Sequence, residues 1–193
     1  MKKKIVYIGL AADILHEGHI NILQTASKLG TVIVGLLTDT AIASYKKIPF
    51  LNFNQRKIVL ENIKHVSKII PQKTLDYVEN LKIIRPDYVV HGDDWKDGIQ
   101  KKTRERVIKT LKLWGGRLVE PKYTKNISST KIRSKIYNLG ITPQNRLSKL
   151  KRLIKVKKIV KILETHNSLA GLIIENLSHI KNSQSLEFDG MWS

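Results

Sequence analysis

Apolar runs with no polar alternation recur along this chain. The clearest are Ile-Val-Tyr-Ile-Gly at Ile5–Gly9 and Thr-Val-Ile-Val-Gly-Leu-Leu at Thr31–Leu37. A strand that is apolar on both sides must be covered on both faces, which is the situation of a parallel sheet between two helical layers. Further short strands are expected at Lys68–Ile70 (closed by Pro71), Asp87–His91 and Arg117–Val119. Between them, helical spacing predicts helices over Gly18–Leu29, Gln55–His65, Leu75–Ile84 and Gln100–Trp114, and a last one over Ser129–Asn138 with Gly140 just beyond. Arg85-Pro86 ends the third, because proline disfavours helix in the residue before it, and Gly115-Gly116 ends the fourth. Strand and helix in alternation specify an α/β, doubly wound parallel sheet of Rossmann-like type.

Such sheets bind ligands outside the carboxyl ends of their strands, where the strand order reverses. The polar clusters fall there: His16-Glu17-Gly18-His19, Asp39, Gly92-Asp93-Asp94-Trp95 and Ser128-Ser129-Thr130. His16 and His19 lie three apart, on one face of a helix start, beside free N–H groups and the positive end of the helix dipole. That suits phosphate, and Gly18, without a Cβ, lets an anion come close. The alternative is a pair of structural histidines. A zinc-protease pair needs four-residue spacing, and no Walker loop or Gly-x-Gly-x-x-Gly occurs. Ser128 or Ser129 could merely cap a helix; with Lys131 and Arg133 they equally make a second anion site. Asp94 could serve a divalent metal or orient a ligand, with Trp95 beside a base or acceptor, or the pair could be a polar loop with a half-buried Trp. Lys46 and Arg56 flank a loop.

Charge narrows this less than its size suggests. The chain has 193 residues and a formal charge of +19, from 35 Lys and Arg against 16 Asp and Glu. A polyanionic partner would explain it, as would lysines that only solvate the surface. The basic residues are spread along the chain and no RNP-type aromatic signature accompanies them, which disfavours nucleic acid. There is no Cys, so no disulfide framework and no thiolate chemistry. No segment reads as a signal peptide or reaches the ~20 apolar residues of a membrane span. A cytoplasmic protein without membrane partners is expected, and a homodimer stays open.

Taken together, His16–His19, Gln55-Arg56-Lys57, Ile70-Pro71, Gly92–Trp95 and Ile127–Ile132 resemble the cytidylyltransferase family marked by His-x-Gly-His and Ile-Ser-Ser/Thr-Thr-x-Ile. The resemblance spans about residues 1–137. It implies transfer of CMP from CTP to a phosphate or phosphonate oxygen, with Mg²⁺ as cofactor and release of pyrophosphate. It further implies that His16, His19 and Lys46 are catalytic, and that Asp13, Gly18, Arg56, Asp94, Ser128, Ser129 and Thr130 bind nucleotide. Trp95, Tyr123 and Thr124 would meet acceptor or base, and Asp94 would be the metal carboxylate. An adenylyltransferase of the same superfamily, or a non-catalytic basic nucleotide-binding product, are the alternatives.

Two departures point away from glycerol phosphate as acceptor: Leu10-Ala11-Ala12 stands where Gly-Thr-Phe is frequent, and Tyr123-Thr124 where the glycerol-phosphate branch has Arg-Thr. The tail, with Leu163–Leu172 and Glu187–Ser193, resembles the opening of a phosphoenolpyruvate phosphomutase barrel. The expected organisation is a nucleotide-binding domain at 1–140, a linker at 141–149 and an incomplete (β/α) barrel fragment at 150–193 without mutase activity. Fusions of this kind imply a small phosphonate as acceptor.

Overall fold

The computed structural model describes residues 3–96, 100–122, 124, 129, 132, 143–181 and 184–192, of which 143–147, 178–181 and 184–187 by backbone only. In chain order, β1 (Ile5–Leu10) leads to α1 (Glu17–Leu29) and β2 (Thr31–Leu37). Next come α2 (Asp39–Ala43), α3 (Phe53–Glu61) and β3 (Lys68–Gln72). Then follow α4 (Val78–Ile84), β4 (Tyr88–Val90), a 3₁₀ turn (Asp93–Trp95), α5 (Lys101–Leu111), a second 3₁₀ turn (Lys112–Trp114) and β5 (Arg117–Val119). The five strands form one sheet in the order β3-β2-β1-β4-β5, every neighbour parallel.

The chain moves outward from β1 in one direction and then returns to add β4 and β5 on the other side. With one crossover hand, this reversal sends the helices to opposite faces. The core divides accordingly. Val6, Ile8 and Leu10 pack with Leu23, Ala26 and Leu60 of α1 and α3. Tyr7 and Val89 pack with Leu81, Val107 and Leu111 of α4 and α5. Alternate residues of β1 therefore serve different cores, which is why its sequence shows no polar positions.

The structure shifts several expected boundaries, α3 ending at Glu61 and not at His65 among them, and three have a plain local reason. α3 begins at Phe53, before the expected Gln55, because Asn52 and Gln55 close a capping box: Asn52 Oδ1 accepts the Gln55 N–H (3.1 Å) and Gln55 Oε1 the Asn52 N–H (2.9 Å). α4 begins at Val78 rather than Leu75, since Asp76 Oδ1 takes the Val78 N–H at 3.1 Å. Pro71 does not close β3 but lies inside it, opposite Leu36; β3 is an edge strand, where a missing N–H is tolerated.

In the next part of the chain, the expected helix at Ser129–Asn138 falls, apart from residues 129 and 132, outside the described residues. α6 (Pro143–Val156) then runs across the expected boundary at 149/150, opening on a proline whose absent N–H is not needed there. After it come β6 (Ile162–Glu164), α7 (Ser168–Asn176), the antiparallel hairpin β7 (Ser178–Lys181) and β8 (Gln184–Glu187), and β9 (Gly190–Trp192), which pairs parallel with β6. Ile159, Leu169, Leu172 and Trp192 are exposed. Among the described residues no helix is long and apolar enough to cross a membrane.

Two aromatic rings fill hollows left by paired glycines. Gly9 of β1 lies opposite Gly35 of β2. The Tyr77 ring rests on Gly9, and the Tyr7 hydroxyl, bonded to Gln72 and to Asn80 (3.0 Å), on Gly35. Burial holds both phenols well above their usual pKa. A Cβ on Gly35 would occupy the place of the Tyr7 hydroxyl. Gly35→Ala should therefore cost about 1–3 kcal/mol, read as a fall in thermal midpoint of roughly 2–4 °C per kcal/mol.

Candidate active site

A cleft of about 240 Å³ opens at the carboxyl ends of β1, β2 and β4. One wall is the start of α1. His16 is its N-cap, in extended conformation (φ −147°, ψ 172°), and no hydroxyl or carboxylate does the capping. Instead His16 Nδ1 accepts the Gly18 N–H at 3.2 Å, and His19 Nδ1 accepts the His16 N–H at 3.4 Å. The rings stand 4.0 Å apart at 48°. Gly18 makes this seat available, because a Cβ there would stand 3.0 Å from the His16 ring.

These bonds select a tautomer. A nitrogen that accepts an N–H carries no proton, so each neutral ring holds its proton on Nε2. Both imidazoles then offer an N–H donor beside the helix N-terminus without carrying charge. Burial, with His16 and Lys46 nearby, lowers His19 to a pKa of about 4. Burial also lowers His16, against the opposing charge of Glu17.

Facing them is the loop after α2. Lys46 lines the cleft, its ammonium 5.3 Å from the Tyr45 ring centre, and its charge is felt by His19. The Tyr45 phenol is pushed up to about 12 by burial. Asp13 is buried and accepts the N–H groups of Phe50 (2.7 Å) and Leu51 (3.4 Å), tying the α1 approach to this loop.

Arg56, expected as a nucleotide contact, is 0% exposed. Nη1 donates to Ala11 O (2.6 Å), Nη2 to Asp39 (2.6 Å) and Nε to Leu51 O (3.2 Å), and the side chain is not part of the cleft lining. Between Ala11 and Asp13 the chain bends at Ala12, which sits at φ 50°, a left-handed conformation costly for any residue with a Cβ. The bonds of Arg56 and Asp13 on either side hold that bend.

The third wall follows β4. Asp94 lines the cleft and is 48% exposed, with Oδ1 3.8 Å from His91 Nδ1. Trp95, expected beside an acceptor or base, is turned inward: it is 1% exposed, stacked on His91 at 3.9 Å, and donates from Nε1 to Glu120 (2.7 Å). The tight 3₁₀ turn separates these neighbours, sending the carboxylate out and the indole in. Thr124 lines the cleft and accepts from Asn21 Nδ2 at 3.1 Å. Ser129 stands in the same cleft as the two histidines, its hydroxyl donating to Ile14 O at 3.1 Å. Tyr123, Ser128 and Thr130 lie outside the described residues.

Sequence reasoning did not single out His91, Asn21 or Lys122, all of which line the cleft. His91 could have been found, since it ends the apolar run of β4 at the edge where ligands bind. Asn21 could have been found too, three residues beyond Gly18 on the same helix face.

Among the described residues no three His, Asp or Glu side chains cluster to hold a metal ion. One exposed carboxylate at the mouth, Asp94, fits a hard divalent ion carried mainly by phosphates and not a protein-built cage.

A family model described as cytidylyltransferase-like matches residues 7–135. A glycerol-3-phosphate cytidylyltransferase of Staphylococcus aureus is 32% identical over 143 residues, covering 70% of this chain and 96% of the relative. The enzyme of that name from Bacillus subtilis is 36% identical over 98 residues, covering 50% and 74%. The crystal structure of a lipopolysaccharide core biosynthesis protein from Thermoplasma volcanium shares the fold, with a TM-score of 0.54 at 23% identity over 64% of this chain and 99% of that one.

The depressed His19 pKa has a consequence for stability. Its folded value is about 4 against an ordinary 6.5, so between those values the unfolded chain binds the extra proton. Stability from this group is complete above about 6.5 and is lost as pH falls toward 4. Denaturation midpoints across that window should fall with pH in the wild-type protein, and His19→Gln should flatten the slope.

Proposed function

The chain belongs to the cytidylyltransferase-like family, whose shared chemistry is nucleotidyl transfer, and on that premise we propose that it moves CMP from CTP to the oxygen of a small phosphonate or phosphomonoester. The observation that carries the reading is the pair of imidazoles at the start of α1, their Nδ1 atoms taken by backbone N–H groups, lining one cleft with Lys46 and Ser129; Nε2–H of each is then the donor for a ligand. An acceptor oxygen attacks the α-phosphorus in line, the bond to the bridging oxygen breaks, and pyrophosphate leaves. Positioning and electrostatics carry such a reaction, with no protein nucleophile.

In this proposal His16 and His19 donate to the α-phosphate oxygens as charge develops, and Lys46 neutralises acceptor and α-phosphate together. Ser129, with Ser128 and Thr130 beside it in sequence, holds the outer phosphates. Thr124 lies toward the acceptor, while Asp13 and Gly18 shape the approach. Arg56 supports the site from within the protein and does not meet the nucleotide. Mg²⁺ bound to the triphosphate, with Asp94 as its protein carboxylate, would supply charge neutralisation.

The same proposal divides the chain into a catalytic part at 1–140 and a following segment from 150 related to the mutase barrel. The mutase-type tail and the Leu10-Ala11-Ala12 segment favour a hydroxyalkyl- or aminoalkylphosphonate as acceptor, whereas the names of the two relatives favour glycerol 3-phosphate.

Pyrophosphate release should be followed with CTP or ATP against glycerol 3-phosphate and these two phosphonates. We expect release with CTP and at least one acceptor. Preference for ATP would move the chain to the adenylyl branch, and no release with any pair would sink the reading. His16→Ala and His19→Ala should each lower kcat by roughly 10²–10³, the loss seen when a transition-state donor is removed.

A further inference from the structure

The loop at 44–52 carries Lys46 and contains neither helix nor strand; its near end is tied to α2, where the Tyr45 and Lys46 N–H groups donate to Ile42 O (3.2 and 3.0 Å), and its far end needs other partners. Three side chains hold its far end by the backbone. Asp13 takes the N–H groups of Phe50 and Leu51, and Arg56 donates to Leu51 O. The third comes from α6: Arg152 donates through Nη1 to Phe50 O (2.8 Å) and through Nη2 to Pro49 O (2.9 Å).

Two consecutive carbonyls taken by one planar guanidinium is a geometry that an ammonium group cannot copy. Nη2 also lies 3.9 Å from Asp39, the carboxylate that Arg56 holds from its other oxygen. Asp13 and Arg56 fall within the stretch matched by the family model, residues 7–135, and Arg152 does not. Only two residues, Lys47 and Ile48, separate Lys46 from Pro49, so a pin at Pro49 keeps the Lys46 backbone within roughly 10 Å of it.

We propose that Arg152 is a positioning residue for nucleotidyl transfer: α6 clamps the 44–52 loop and so keeps the Lys46 ammonium in the cleft opposite His19. The inference rests on the reading that Lys46 acts on the α-phosphate and acceptor. It makes turnover dependent on a helix beyond the family's own domain.

The test combines a rate and a loop measurement on the full chain. Arg152→Met should lower kcat about tenfold, a fraction of what misplacing a reacting group by an ångström can cost, while the CTP KM stays within about twofold. Its effect should vanish when Lys46→Met is already present, because residues that act through one another are not additive. Hydrogen exchange of the 44–52 backbone should speed up about tenfold in Arg152→Met, with the β1–β2 amides unchanged. An equal loss of kcat in both backgrounds, or unchanged exchange in the loop, overturns the proposal. A wild-type protein that releases no pyrophosphate sinks the proposed function and the catalytic half of this inference, and the exchange rates still decide whether Arg152 holds the loop.

Discussion

One buried guanidinium joins the segments that form the cleft. Arg56 reaches the end of β1 at Ala11, the start of α2 at Asp39 and the 44–52 loop at Leu51. A charge removed from water is tolerable only when its donors are used and a counter-charge stands close, and both conditions hold here. The arrangement explains the left-handed Ala12, a conformation that an unconstrained chain would abandon. It also places the His16–His19 approach and the Lys46 loop on a common support, with Asp13 bridging them a second time.

The two imidazoles show how one ring can fold a helix end and still be free for chemistry. Nδ1 of each is used to satisfy a backbone N–H that the helix leaves without a partner. That bond fixes the proton on the opposite nitrogen, which faces away from the backbone. Capping by a carboxylate would satisfy the same N–H groups and leave no donor for an anion. Burial lowers the proton affinity of both rings, and His16 and Lys46 lower that of His19 further, so they offer hydrogen bonds without carrying charge at neutral pH.

Behind the cleft an aromatic stack links its walls to the core. Tyr77 rests on Gly9, lies 5.8 Å from Trp95, and Trp95 stacks on His91. Tyr77 and His91 line the cleft while Trp95 closes it from inside. Glu120, held below its usual pKa by Arg104, anchors the indole N–H. A shift of any one ring therefore moves the wall that bears Asp94.

Much of this was written in local pattern. The apolar runs gave the strands and both helical layers, because exclusion of side chains from water repeats at the period of the backbone itself. Three of the four polar clusters, through His16 and His19, Asp94 and Ser129, supply residues to the cleft at the carboxyl edge of the sheet. Asn52 and Gln55 carried a readable capping signal for α3, and His91 stood at the end of β4 in plain view. What local pattern left open was the fate of similar neighbours. Lys46 and Arg56 both read as basic residues beside a loop, yet one lines the cleft and the other is buried. Asp94 and Trp95 are adjacent, yet they face opposite ways. Those outcomes depend on Asp39, Ala11, Glu120 and Arg152, partners distant in sequence that only the folded chain brings within reach. Periodicity along the backbone thus determined the layers and the binding edge; contacts between remote segments decided which polar groups were taken up by the protein and which were left for a ligand.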